Sequence, residues 1–121
     1  MNSDLKNKLC AGKKCLLITN RGNSIELGIC NYTYQRNNII IKSNNYTNII
    51  DSLNDNEQCY LYITVCDEQY IYYLIVNGTA TLSSTSFMTP SICNQNNCNN
   101  DCNYLINIKI SNIDCLKEKR Y

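Results

Sequence analysis

Histidine is absent from all 121 residues. That excludes Ser-His-Asp triads, imidazole general bases and histidine metal ligands together. Any chemistry then falls to cysteine, tyrosine, carboxylates, lysine or a bound cofactor. An excess of one charge is missing too: Lys plus Arg number 11 and Asp plus Glu 10, a formal net charge of +1. No field follows that would hold nucleic acid or an anionic membrane. The longest basic run, Lys117-Glu118-Lys119-Arg120, reads as a frayed, solvated terminus. Apolar runs are strand-sized, and none reaches the length of a membrane-spanning helix. Met1 to Lys8 is polar with no apolar stretch behind it, which predicts no signal peptide.

Nine cysteines are present. Without a secretory signal they favour free thiols in a reducing compartment, so the expected location is cytoplasmic. Their odd number leaves no complete intrachain disulfide framework. Asparagine, isoleucine and tyrosine are heavily used, the mark of an AT-rich coding sequence rather than of a prion-like segment. The three N-x-[ST] triplets, at Asn31, Asn45 and Asn77, are about what that composition gives by chance and carry no evidence for secretion.

The length is that of one domain, 1–121, able to bury a core without staples. Residues 3–11 read as a short amphipathic helix, with Ser3 as N-cap, Leu5 and Leu9 on one face and Gly12 as its stop. Strands follow at 14–19, 24–34 and 39–42, with turn chemistry at Asn20-Arg21-Gly22-Asn23 and at Gln35-Arg36-Asn37-Asn38. In the second strand Ile25, Leu27 and Ile29 alternate on one face. Ile49, Ile50 and Leu53 recur at helical spacing and predict a short helix over 44–56. Two further strands occupy 58–66 and 70–82, where Gly78 and Ala80 suggest the close approach of another backbone or a ligand. A connection over 83–103, rich in Ser, Thr, Asn and Cys and holding the only proline, Pro90, leads to a last strand at 104–113. This order predicts a mainly β fold: a six-stranded antiparallel barrel with short flanking helices.

The order and these residues resemble the pyridoxamine 5′-phosphate oxidase-like, FMN-binding split-barrel family. Its apolar "LAT" strand stands here as Leu16-Leu17-Ile18-Thr19, followed by the turn Arg21-Gly22-Asn23. Its "NL…NP" helix end stands as Ser52-Leu53-Asn54-Asp55-Asn56, and its "G-x-A" as Gly78-Thr79-Ala80. The likeness covers about residues 4–113. It implies a split barrel, a homodimer with FMN in grooves at the subunit interface, and flavin-dependent oxidoreductase chemistry on a small molecule. It also implies a phosphate site where a strand-end hydroxyl meets a helix N-terminus. Ser43 takes the hydroxyl position with Lys42 beside it, and Thr47 and Asn48 are placed to cap the helix and donate to phosphate, together with Asn45. Two departures stand out. Ile49 occupies the usual basic position of the helix, and Glu26-Leu27-Gly28-Ile29-Cys30 lacks the arginine many members carry in the second strand. Lys42 and Arg36 are then the candidates for the missing charge; the competing reading is that these polar residues only cap the helix and solvate a turn. The tyrosines Tyr32, Tyr34, Tyr60, Tyr62, Tyr72 and Tyr73 either wall a flavin or pack across strands, the commoner role.

The family does not explain Cys93-x4-Cys98-x3-Cys102. Three thiols in a polar loop suit Zn²⁺ or an iron–sulfur cluster, with Cys115, Cys66 or an outside ligand as the fourth. The spacing matches neither zinc-ribbon pairs nor a ferredoxin run, and a redox-formed disulfide or free thiols are the competing readings. The other six cysteines are expected mostly in the core. Alternatives to a flavoprotein are therefore a thiol-rich metal-binding protein and a barrel that has lost its cofactor and serves as an interaction module.

Overall fold

The computed structural model describes residues 3–43, 47–84 and 104–120. In chain order the elements are α1 (Ser3–Ala11), β1 (Lys14–Arg21), β2 (Ser24–Asn31), β3 (Thr33–Gln35), β4 (Asn38–Ser43), α2 (Thr47–Asp55), β5 (Gln58–Cys66), β6 (Tyr70–Ser84) and β7 (Tyr104–Lys119). The seven strands form one antiparallel sheet in the order β2-β1-β5-β6-β7-β4-β3. β2 and β3 are its two edges, yet only Tyr32 separates them in the chain. The edges therefore meet, and the sheet closes into a barrel with residues 31–33 as its seam.

The mainly β, antiparallel split barrel with two short helices is the expected architecture. It has seven strands rather than six because the second run is divided at Tyr32. Its first part pairs with β1 and its last with β4.

Turn chemistry sets both early hairpins. Gly22 has φ of 58° and begins a two-residue loop between Arg21 and Ser24, as a type II′ turn requires. Arg36 (φ 52°) and Asn37 (φ 67°) make the loop between Gln35 and Asn38, with positive φ at both central positions as in type I′.

Inward-facing side chains alternate along every long strand. Leu17, Ile39, Ile41, Leu61, Ile63, Leu74, Val76, Ile106 and Ile108 are all fully buried. Leu9 of α1 and Ile49, Ile50 and Leu53 of α2 complete the same core. Burying each such side chain contributes about 1.5–3 kcal/mol before the entropic cost of ordering it. Gly78 is the close approach its sequence suggested. A Cβ there would meet Ile108 Cγ2, and Lys109 O at 2.9 Å, beside the register shift between Asn77 and Gly78. What comes near is the β7 backbone.

The C-terminal segment corrects an expectation. Instead of fraying, residues 114–119 continue β7 against β6, with Tyr70 opposite Lys119. Lys117 Nζ lies 3.9 Å from the Tyr70 ring centroid, and Tyr73 donates to Glu118 Oε1 at 3.3 Å. The Arg120 guanidinium donates to the Asp67 carbonyl at 2.9 Å. Among the described residues no helix is long and apolar enough to cross a membrane.

Candidate functional site

The seam builds the candidate site, and α2 follows it in the chain. At the seam, the Tyr32 N–H donates to the Lys13 carbonyl at 3.0 Å on the β1 side, and Thr33 pairs with Ile40 on the β4 side. The Tyr32 side chain turns inward, where its hydroxyl donates to the Leu9 carbonyl at 2.7 Å. This bond ties the end of α1 to the seam and satisfies one of that helix's last carbonyls. Burial holds the Tyr32 hydroxyl well above the usual phenol range, so it stays protonated. Tyr32 is thus mainly a structural anchor.

The opposite side of the seam faces outward and carries a groove of about 330 Å³, lined by Asn31, Tyr32, Thr33, Ile40 and Lys42. Lys42 is exposed and pairs through its backbone with Leu105. Ser43 follows it, opposite Tyr104. Thr47 and Asn48 open α2, with Asn48 exposed. Three residues, 44–46, join the two groups and lie outside the described residues. The end of β4 and the start of α2 are therefore neighbours along the chain.

Helix phase decides the rest of α2. Ile49, Ile50, Ser52 and Leu53 are buried where the helix packs on β1 and β2. The Arg21 guanidinium reaches Asp55 at 2.9 Å and ties the β1–β2 hairpin to the end of the helix. Ile49 is only 3% exposed, so the position where the family carries a basic residue faces the core in this chain. Ser52 Oγ is buried with no hydrogen-bond partner among the described residues. Arg36 does not replace the missing cation. It sits in the β3–β4 turn, at the far end of β4 from Lys42, about 15 Å away at strand rise. Of the two replacements considered, only Lys42 lies at the groove.

The six described cysteines split evenly. Cys15, Cys30 and Cys59 are buried, whereas Cys10, Cys66 and Cys115 are exposed. Burial pushes the Cys15 and Cys59 thiols up to about 12, with Cys30 and Cys59 adding to the effect on Cys15. They remain neutral thiols at physiological pH. Among the described residues no three His, Cys, Asp or Glu side chains are grouped to hold a metal ion. Cys93, Cys98 and Cys102 lie outside the described residues.

One feature of the outer surface escaped sequence reasoning. Ile25, Leu27 and Ile29 of β2 point outward and are 63%, 60% and 69% exposed. Register carries this strip across the sheet: Leu27 is opposite Ile18, and Ile18 opposite Tyr60; Ile29 is opposite Leu16, and Leu16 opposite Tyr62. Period-two alternation had identified the set but not the side it faces.

No protein-family model matches the chain, and no curated protein matches it in sequence. Solved structures do match in shape. A candidate pyridoxamine 5′-phosphate oxidase from Corynebacterium glutamicum superposes with a TM-score of 0.73 at 12% identity, over 99% of this chain and 97% of that one. An FAD-binding protein from Mesorhizobium loti gives 0.74 at 10% identity, covering 100% and 96%. The FAD-binding protein of Mycobacterium smegmatis gives 0.71 at 10% identity, covering 99% and 98%. At this identity the likeness is one of fold, and the fold is the split barrel of pyridoxamine 5′-phosphate oxidase-like proteins.

Proposed function

We propose that this split barrel binds a flavin-type cofactor, FMN, in the seam groove, and that it acts as a homodimeric, cytoplasmic flavin-dependent oxidoreductase on a small molecule. The observation that carries the reading is the groove itself: a concave site between the two closing edges, with a cation at one end and an aliphatic strip beside it. Its donor set suits the group. Ile40 and the neighbouring β2 aliphatics match the faces of a flat ring system. Asn31 and Thr33 match its amide-like rim, and Lys42 an anionic tail. Bound flavin supplies the redox chemistry, which removes the need for histidine, while the chain binds and orients it. The similar folds of proteins described as FAD-binding, and of one described as an F420 reductase, support the same class of cofactor.

The homodimer is supported by the outward strip of Ile25, Leu27 and Ile29 with Tyr60 and Tyr62 beyond it. A contiguous apolar face of this kind is rarely left in water. The test is equilibrium uptake of FMN by purified protein, followed by quenching of flavin fluorescence. Saturation at one FMN per chain is expected; no uptake would contradict the flavin assignment. A second reading, a cofactor-less interaction module on the same barrel, is favoured by one observation, the burial of Ile49. Self-association without FMN uptake is its signature.

A further inference from the structure

Lys14 opens β1 as the direct cross-strand partner of Asn31, which lines the seam groove. Partners opposite one another in an antiparallel pair project to the same face. The alternation along β1 agrees, with Cys15 and Leu17 buried and Lys14 exposed. Lys14 therefore stands on the outer face beside Asn31. Across the seam, Thr33 is opposite Ile40, and Lys42, two residues further along β4, lines the groove together with Asn31. Lys14 and Lys42 thus both neighbour one asparagine, the first as its cross-strand partner and the second as a co-lining residue of the groove. Neither has an ion-pair partner among the described residues, where Arg21–Asp55 is the recorded pair.

From this juxtaposition we propose that Lys14 and Lys42 clamp an anionic group over Asn31 and Thr33, the group being the phosphate monoester of the flavin nucleotide. The identity of the ligand rests on the flavin reading above; the clamp itself is a statement about anions. Two ammonium groups on flexible stems can converge on a dianion from opposite sides. The Asn31 amide and Thr33 hydroxyl add neutral donors beneath it, and hydrogen bonds from the charged lysines are roughly twice as strong as neutral ones. The arrangement also accounts for Ile49: the charge that α2 does not provide comes from β1.

The test compares dissociation constants of FMN and riboflavin, which differ only in the phosphate, for the full chain and for Lys14→Gln, Lys42→Gln and Lys14→Arg. The wild type is expected to prefer FMN by about tenfold or more, as charge-assisted contacts at a solvated groove allow. Lys14→Gln and Lys42→Gln should each reduce that preference by about three- to tenfold while riboflavin affinity stays within about twofold. Lys14→Arg should keep it. An FMN-to-riboflavin ratio unchanged in Lys14→Gln, with an unchanged melting temperature, overturns the clamp but leaves flavin binding standing. Failure of the wild type to bind either flavin overturns the flavin reading instead. Pyrophosphate then decides the clamp: amide shifts at Asn31 and Thr33 that vanish in Lys14→Gln sustain it, and their absence in the wild type refutes it.

Discussion

Tyr32 carries more of the fold than its place in an ordinary strand suggests. Its hydroxyl donates to the Leu9 carbonyl, and Gly12 lies so close that an added Cβ would meet the same oxygen. Tyr32→Phe should cost about 1–3 kcal/mol, measured by urea unfolding, because it leaves a buried carbonyl without its donor. Gly12→Ala should also destabilise, and the double variant should cost less than the sum, since removing the hydroxyl relieves part of the Ala clash. Buried thiols make a second prediction at this scale. The folded Cys15 and Cys59 ionise near 12, against 9.0 for an unperturbed thiol. Their contribution is fully present below pH 9 and is lost as pH rises from 9 towards 12, where only the unfolded chain releases the protons. Melting temperature should therefore fall over that window, and less steeply in Cys59→Ala than in wild type at matched starting stability. An equal slope would contradict the assignment. Which cysteines were core was legible only in part. Strand alternation buries Cys15 and Cys59, whereas Cys66 and Cys115 sit where β-strands run beyond the barrel's apolar centre.

At the scale of elements, turn chemistry was the most legible signal. Both early hairpins form where Gly22 and the Arg36-Asn37 pair supply positive φ. Arg36 and Asn37 nevertheless stand in a conformation costly for residues with a Cβ. Replacing them by Asn-Gly, the pair a type I′ turn prefers, should stabilise the chain by about 1 kcal/mol in urea unfolding. A loss of stability would mean that the turn is of another kind. Two features were not legible. The break at Tyr32 is invisible to alternation, because residues 31, 33 and 35 keep the same phase while the pairing partner changes from β1 to β4. The last third of β7, residues 114–119, is rich in Asp, Lys and Glu and reads as solvated tail. Its order comes from pairing with the long strand β6, a contact far away in sequence. For α2 the phase of Ile49, Ile50 and Leu53 was readable, and it already implied that position 49 looks inward.

The whole molecule is a barrel closed at one seam, with a groove on that seam and an apolar sheet face beside it. Leu27→Glu with Ile29→Glu on the outer face should convert a dimer into a monomer in sedimentation velocity while leaving the far-ultraviolet circular dichroism unchanged. Both side chains are already solvent-facing in the single chain, so the fold loses little by the change. A mass that does not change would remove this face as the interface. Of the residues lining the groove, Lys42 at the end of β4 was legible from the order of elements. Tyr32 was legible only as one of six tyrosines, and Asn31 and Thr33 were not legible as part of it, because only closure of the sheet brings the seam beside Lys42. The central claim, that this groove holds a flavin, is tested most directly by the absorption spectrum of freshly purified protein before and after denaturation. Flavin bands in the native protein, released as free FMN on unfolding, are the predicted result; a colourless protein that also fails to acquire those bands when FMN is added would contradict it.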